Sequence, residues 1–142
     1  MDKRVVANEL LLEEAASLMD EGREVNFTPL GSSMLPFIRG GKDSVRLQKK
    51  ASVEVGDIVL VRLPGPRYVL HRVIGIQGDG LTLMGDGNIA GTESCSRSDV
   101  MGTVVGIVKG KRTVVPGKAR IWRLLKPVRR YLLGIYRRIK IL

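Results

Sequence analysis

The stretch DIVLVRLPGPRYVLHRVIGIQGDGLTLMG occupies residues 57–85 and decides the fold class of this chain. Its three apolar runs, at 57–63, 67–76 and 80–85, are rich in Val, Ile and Leu and have the length of β-strands. The connections PGP and QGDG are short and have the composition of turns, which leaves no room for a helix between the runs. The stretch therefore predicts consecutive strands of an antiparallel or mixed sheet.

The sequence on either side extends this pattern. SVRLQK (44–49) and VMGTVVGIVK (100–109) are two further strand candidates, again bounded by glycines and polar residues. Short strands at this spacing, with little helix between them, are typical of a β barrel or sandwich. We therefore expect one mainly β domain over residues 24–110, with a separate segment at each end of the chain.

The N-terminal segment, residues 1–23, has the periodicity of an amphipathic helix. Its apolar residues recur at helical spacing within residues 4–21, and Gly22 is a plausible end of the helix. Acidic residues form the outer face, and they interrupt the segment before the apolar core of a signal peptide could form. The apolar positions are Val5, Leu11 or Leu12, Ala15, Leu18 and Met19.

The C-terminal segment, residues 111–142, is basic and again helical in its periodicity. From Lys109 onward the chain has 12 Lys and Arg and no Asp or Glu, whereas residues 1–108 carry 12 basic and 14 acidic residues. Such an asymmetry points to an anionic partner for this end of the chain. Pro127 is expected to begin the second of two helical pieces. The predicted apolar stripe is Ile121, Leu125, Val128, Leu132, Ile135, Ile139 and Leu142, with Arg120, Arg123, Arg130, Arg137 and Arg138 beside it.

The bulk composition limits the classes of protein to consider. The chain has 142 residues, as expected for one domain, and its single cysteine, Cys95, allows neither an internal disulfide nor a cysteine metal cluster. No run of 18 uncharged apolar residues is present, so no ordinary transmembrane helix is expected. These features favour a cytoplasmic protein that needs no metal or cofactor.

GSSMLP, residues 31–36, and YVLHRV, residues 68–73, contain the residues that could carry chemistry. Gly31 allows an unusual backbone that could present the Ser33 hydroxyl on a turn. A serine needs a neighbouring base to act as a nucleophile, and His71, the only histidine, could accept its proton near neutral pH. The same residues also fit a plain turn and a structural histidine, and composition alone favours that second interpretation.

The order of several short motifs changes this balance. GSSMLP resembles the G-x-S-M-x-P nucleophile box of type I signal peptidases and LexA-type self-cleaving repressors, and VEVGDIVLV resembles the strand that follows it. YVLHRVIGIQGDG is similar to the box that holds the general base, LMGDGN to the G-D-x-N segment, and VMGTVVGIV to the closing strand. The ordered match covers about residues 28–108 and implies a signal peptidase/LexA-like catalytic β domain.

The resemblance assigns roles to individual residues. It implies Ser33 as the nucleophile and His71 as the general base, in the position where bacterial signal peptidases have lysine and endoplasmic-reticulum and archaeal ones have histidine. Asp86 is the expected acid that orients the imidazole. The family's second aspartate is missing, because the chain reads GTES at that place, so Glu93 and Asp99 are alternatives.

The resemblance also implies how substrate is bound. The backbone N–H of Ser33, helped by the Ser32 hydroxyl, is the expected donor to the oxyanion. Met34 is expected to pack beneath the nucleophile or to line the substrate cleft. The implied activity is that of a serine endopeptidase that cuts a leader or precursor peptide, after small residues, with the peptide extended along a strand edge.

The chain departs from signal peptidases in one respect that bears on location. Those enzymes have a transmembrane anchor before the nucleophile box, whereas the helix expected here is short and acidic. The basic residues 120–142 could instead lie on an anionic membrane, so that the enzyme is peripheral at the inner face; the alternative is a helix packed on its own domain. A LexA-type self-cleaving regulator and a catalytically silent peptide-binding domain are the competing functions. The histidine base and the lack of a helix-turn-helix argue against the regulator and against a nucleic-acid partner.

Overall fold

The structure is a computed structural model that describes residues 8–65 and 67–141, with side chains from residue 11 to residue 139. Within these residues the chain forms eight strands, three α-helices and two 3-10 turns. In chain order they are α1 (Asn8–Asp20), β1 (Val25–Phe27), β2 (Ser44–Gln48), β3 (Ile58–Leu63), β4 (Arg67–Gln77), β5 (Gly80–Met84), β6 (Glu93–Ser96), a 3-10 turn (Arg97–Asp99), β7 (Val100–Lys109), β8 (Arg112–Val114), α2 (Arg120–Leu124), a second 3-10 turn (Lys126–Val128) and α3 (Arg129–Ile141).

All the strands belong to one antiparallel sheet. The strand order is β1-β2-β7-β3-β4-β5-β6, and β8 pairs with the last residues of β7, beyond the part that pairs with β3. The hairpins β3–β4 and β4–β5 come directly from the stretch 57–85, with Val59 opposite His71 and Arg72 opposite Met84. The prediction of a mainly β chain with consecutive antiparallel strands is therefore confirmed.

Five of the eight strands coincide closely with the runs predicted from sequence, and three were missed. The predicted runs became β2, β3, β4, β5 and β7. Two of the missed strands, β1 and β8, have three residues each, and the third, β6, reads Glu-Ser-Cys-Ser. None of them has enough alternating apolar residues to be recognised, because a neighbouring strand supplies the backbone hydrogen bonds that make them strands.

The core lies on both sides of β3. Ile58 and Leu60 enter one apolar cluster, whereas Val59, Val61 and Leu63 enter a second. Successive side chains of a strand point to opposite faces, so a strand with nearly every residue buried must be covered on both. Burial of each such side chain stabilises the folded state by about 1.5 to 3 kcal/mol. Strand β3 is therefore the centre of the domain.

The N-terminal helix packs on the first of these clusters. Leu12, Ala15 and Met19 are buried there, which confirms the predicted amphipathic pattern for the described part. Glu13 accepts hydrogen bonds from the hydroxyl of Tyr68 on β4 and from Arg62 on β3. Residues 4–7 of the predicted helix, with Val5, lie outside the described residues.

The C-terminal segment differs from its predicted form in two respects. Pro127 lies inside the 3-10 turn between α2 and α3 and does not begin α3. In addition, the helices bury a different side from the one expected, because Arg129 and Leu133 are 3% and 1% exposed. Leu142, the last member of the predicted stripe, lies outside the described residues. None of the helices described is long and apolar enough to cross a membrane.

Candidate active site

Residues 31–38 form a tight turn that presents Ser33 at the surface of the domain. Gly31 has a φ of 86°, the left-handed conformation that glycine adopts without steric cost, as its position in the motif predicts. Met34 is 4% exposed in the first apolar cluster, and its carbonyl accepts the N–H of Ile38 at 3.0 Å. With Met34 held inside, Ser33 remains half-buried at the rim.

The loop of residues 85–88 packs directly against this turn. The N–H of Gly87 donates to the carbonyl of Ser33 at 2.7 Å. A Cβ atom at Gly85 would overlap the Ser33 carbonyl oxygen, and one at Gly87 would overlap that of Ser32. Both contacts are with backbone atoms that cannot move aside, so only glycine permits this approach. The two motifs are thus in backbone contact, and the N–H of Asp86 also donates to the Sδ atom of Met34 at 3.5 Å, 52 residues earlier in the sequence.

His71 lies in the middle of β4 and is 8% exposed. Its Nδ1 atom is buried and has no hydrogen-bond partner among the described residues. Burial lowers the pKa of His71 below its usual value, and the charges of Glu93 and Asp86 oppose that shift only in part. The imidazole is therefore neutral near pH 7, the form that can accept a proton.

Ser33 and His71 line the same cleft, whose volume is about 450 Å³. No hydrogen bond joins their side chains in the described part of the chain. The cleft is mostly apolar. Its other side-chain walls are Leu12, Phe27, Thr28, Pro29, Leu30, Met34, Ile38, Leu60, Arg67, Tyr68, Val69 and Leu70.

The hydrogen bond expected between Asp86 and His71 is not made. Both carboxylate oxygens of Asp86 accept instead from Arg72, at 2.9 Å from Nε and 2.7 Å from Nη2. The two side chains are 2% and 1% exposed, so this is a fully buried ion pair. The physical reason is strand geometry: Arg72 follows His71 on a regular strand and points to the opposite face, and Asp86 lies on that face.

Arg72 uses its remaining donors to hold other segments in place. Its Nη1 donates to the carbonyl oxygens of Gly56 and Gly117 at 2.7 and 2.8 Å. Its guanidinium lies 5.3 Å from the ring centre of Phe37, within the turn of residues 31–38 that carries Ser33. Sequence reasoning gave Arg72 no role, although it stands beside the histidine in the base motif.

The two alternative acids occupy different environments. Glu93 accepts two hydrogen bonds from Arg67 at 3.2 and 3.0 Å, and Arg67 lines the cleft. Glu93 is also the carboxylate whose charge most raises the pKa of His71. Asp99 accepts the N–H of Ser96 at 2.9 Å, at the end of β6, and is not among the residues that line the cleft.

Ser32 and Met34, on either side of Ser33, lie in different surroundings. Ser32 is exposed, and its carbonyl accepts the N–H of Leu35 at 3.2 Å. Met34 is both buried in the core and part of the cleft wall. The N–H of Ser33 donates to no backbone carbonyl of the described residues.

Two residues of the C-terminal segment support the loop of residues 85–88 from behind. The indole Nε1 of Trp122 donates to the carbonyl of Asp86 at 2.8 Å, and the ring meets Phe37 edge to face at 6.1 Å. Arg129 donates to the carbonyl of Asn88 at 3.1 Å and lies 5.3 Å from the Trp122 ring centre. Trp122 is half-buried and Arg129 is 3% exposed, which the sequence did not indicate because both lie in a basic segment of helical periodicity.

One edge of β4 is open along the cleft. Residues 67–72 pair with β3 on one side, but pairing with β5 begins only at Arg72. No described strand therefore covers the other edge of residues 67–71. A backbone edge of this kind can accept an extended peptide as an additional strand.

The site is thus a cleft that holds a serine on a glycine-led turn, a buried neutral histidine and an open strand edge. No three His, Cys, Asp or Glu side chains of residues 11–139 lie together as metal ligands. Comparison of the chain with family models and with curated proteins gives no match.

Proposed function

We propose that this protein is a serine endopeptidase that hydrolyses a peptide bond in a leader or precursor peptide. The observation that carries the proposal is the shared cleft of Ser33 and His71, in which the histidine is buried, neutral and without a partner at Nδ1. A nucleophile needs a base that is unprotonated at working pH, and this arrangement supplies one. The ordered motifs of the sequence support the same assignment.

In the proposed reaction the Ser33 Oγ attacks the carbonyl carbon of the scissile bond while His71 takes the hydroxyl proton. The tetrahedral intermediate then collapses, the C–N bond breaks and the imidazolium gives its proton to the leaving amine. A water molecule attacks the resulting ester with His71 again as base, which releases the acid product and restores Ser33. No cofactor takes part.

The negative oxygen of the intermediate needs donors that are already in place. The N–H of Ser33 is such a donor, and the exposed Ser32 hydroxyl is the second one we propose. The loop of residues 85–88 fixes the Ser33 carbonyl, and with it the orientation of the turn. Asp86 acts on His71 through its charge and on the turn through this loop, as a positioning residue paired with Arg72.

The substrate is proposed to bind as an extended strand along residues 67–71 of β4. The apolar walls of the cleft suit the side chains of such a peptide, and the backbone edge supplies hydrogen bonds that do not depend on its sequence. This proposal also implies that the antiparallel sheet has the form of a signal peptidase/LexA-like barrel. The proposed location is the cytoplasm, at the inner face of the membrane.

A serine-directed fluorophosphonate probe tests the chemistry without knowledge of the substrate. We expect one adduct, on Ser33, found by mass spectrometry of the folded protein. Ser33→Ala should abolish it, and His71→Gln should slow it strongly, while Ser32→Ala, next to the nucleophile, should still be labelled. An adduct on another serine, or equal labelling of Ser33→Ala, would rule out the proposed nucleophile.

A further inference from the structure

The C-terminal segment carries a row of large apolar side chains that face solvent. Six of them are between 43% and 80% exposed and follow each other at steps of three or four residues; two lie in α2, one in the second 3-10 turn and three in α3. We call them the outer row. Its members are Ile121, Leu124, Val128, Tyr131, Ile135 and Ile139.

The outer row points outward because the other side of the segment is attached to the domain. Trp122 and Arg129 bind the loop of residues 85–88, and Leu133 is 1% exposed. The stripe expected from periodicity contained Leu125 and Leu132, which are half-buried, and lacked Leu124 and Tyr131. An exposed apolar row of this size on an otherwise well-packed domain indicates a docking surface.

The charges beside the outer row indicate what docks there. Five exposed basic side chains lie between its members, and within residues 11–139 none of them forms an ion pair with a carboxylate. Asp99 is the last acidic residue of the chain, so nothing in the segment balances them. A second copy would bring two such basic faces together, which is repulsive, whereas anionic headgroups complement them. The five are Arg120, Lys126, Arg130, Arg137 and Arg138.

We propose that the outer row is a lipid-docking face that lies in the interface of an anionic bilayer. The apolar side chains enter the boundary of the acyl chains, and the flanking Arg and Lys side chains bind headgroup phosphates. This inference builds on the proposed function, because it identifies an anionic bilayer as the partner of the proposed enzyme. Lipid binding itself does not require the peptidase activity. Trp122 and Arg129 connect this face to the loop behind Ser33, so docking would hold the cleft beside the bilayer and favour membrane-held precursors.

Co-sedimentation with vesicles tests the docking face. The full-length protein should bind mixed phosphatidylcholine–phosphatidylglycerol vesicles and bind pure phosphatidylcholine vesicles much more weakly. Ile121→Glu with Ile135→Glu should weaken binding by about a hundredfold, because two apolar groups are lost and two negative charges are gained. Val115→Glu is the matched control, since Val115 is 85% exposed but lies outside the outer row, and it should bind like the unaltered protein.

Other outcomes would overturn the proposal. If the protein binds neutral vesicles as well as anionic ones, the basic residues have no role in binding. If Val115→Glu weakens vesicle binding as much as the double variant does, the outer row is not the docking face. If the unaltered protein binds no vesicles and is a dimer by light scattering that the double variant dissociates, the face belongs to a second copy. Ser33→Ala should bind vesicles normally, so failure of the peptidase proposal would not mimic failure of this one.

Discussion

His71 and Arg72 are neighbours on β4 and both are buried, yet their surroundings are opposite. Arg72 has a carboxylate, two carbonyls and an aromatic ring as partners. His71 has a buried nitrogen without a partner and a pKa lowered chiefly by burial. Native proteins pair nearly all buried polar groups, and the unpaired Nδ1 of His71 supports the role proposed for this residue as a base. Two consecutive residues of one strand thus differ in their surroundings, since one has an unpaired buried nitrogen and the other is fully paired.

The largest expected effect is on the chemistry proposed for His71. His71→Gln should lower the rate of Ser33 acylation by about a thousandfold, because the base is lost while the oxyanion donors stay. Its free energy of unfolding should change by less than about 1 kcal/mol, because no hydrogen bond of Nδ1 is lost. Stopped-flow labelling and urea denaturation measure the two quantities. A large loss of stability with little change in rate would make His71 a structural residue.

Arg72 should show the reverse pattern. Arg72→Met should lower the free energy of unfolding by about 3 kcal/mol, because it leaves the Asp86 carboxylate buried without a partner. Adding Asp86→Leu should recover most of that loss, since the uncompensated charge is then gone. Urea denaturation of the single and double variants gives the coupling. If the double variant is as unstable as the sum of both single variants, the pair is not the reason for the instability.

The smallest expected effect is a dependence of stability on pH that belongs to His71 alone. The unfolded chain binds a proton near pH 6.5, whereas the folded chain binds it only at lower pH because burial lowers the pKa of His71. Between these values the unfolded state holds more protons, so the free energy of unfolding falls as the pH drops below 6.5. Urea denaturation at neutral and mildly acidic pH should show this slope in the unaltered protein and a flatter one in His71→Gln.

The buried carboxylate of Asp43 does not contribute to the change in stability between neutral and mildly acidic pH. Burial alone would raise the pKa of Asp43, but hydrogen bonds from Arg39 and Lys109 more than offset it and hold the pKa well below 3.8. Its contribution to stability is therefore present above 3.8 and is lost only in stronger acid. An equal slope between neutral and mildly acidic pH in His71→Gln would show that another group titrates there.

The central strands were predictable because their information is local. A run such as residues 57–63 is apolar at nearly every position and ends in turn residues, so no distant contact is needed to recognise it. Strand β6 could not be recognised, because Glu-Ser-Cys-Ser becomes a strand only where β5 offers its backbone. The hydrogen-bond partner of Asp86 could not be predicted either. His71 and Arg72 are neighbours in the sequence, and the sequence alone does not say which of them faces Asp86.

The sequence by itself determined the mainly β architecture, the turn that carries Ser33 and the excess of positive charge at the C-terminal end. Each of these depends on residues that are close in sequence, through periodicity, glycine conformation or simple charge. The tertiary structure alone decided that Ser33 and His71 share one cleft, that Asp86 binds Arg72, and which side of the C-terminal segment faces solvent. These outcomes depend on burial, and burial is a property of how distant segments pack, which no local pattern contains.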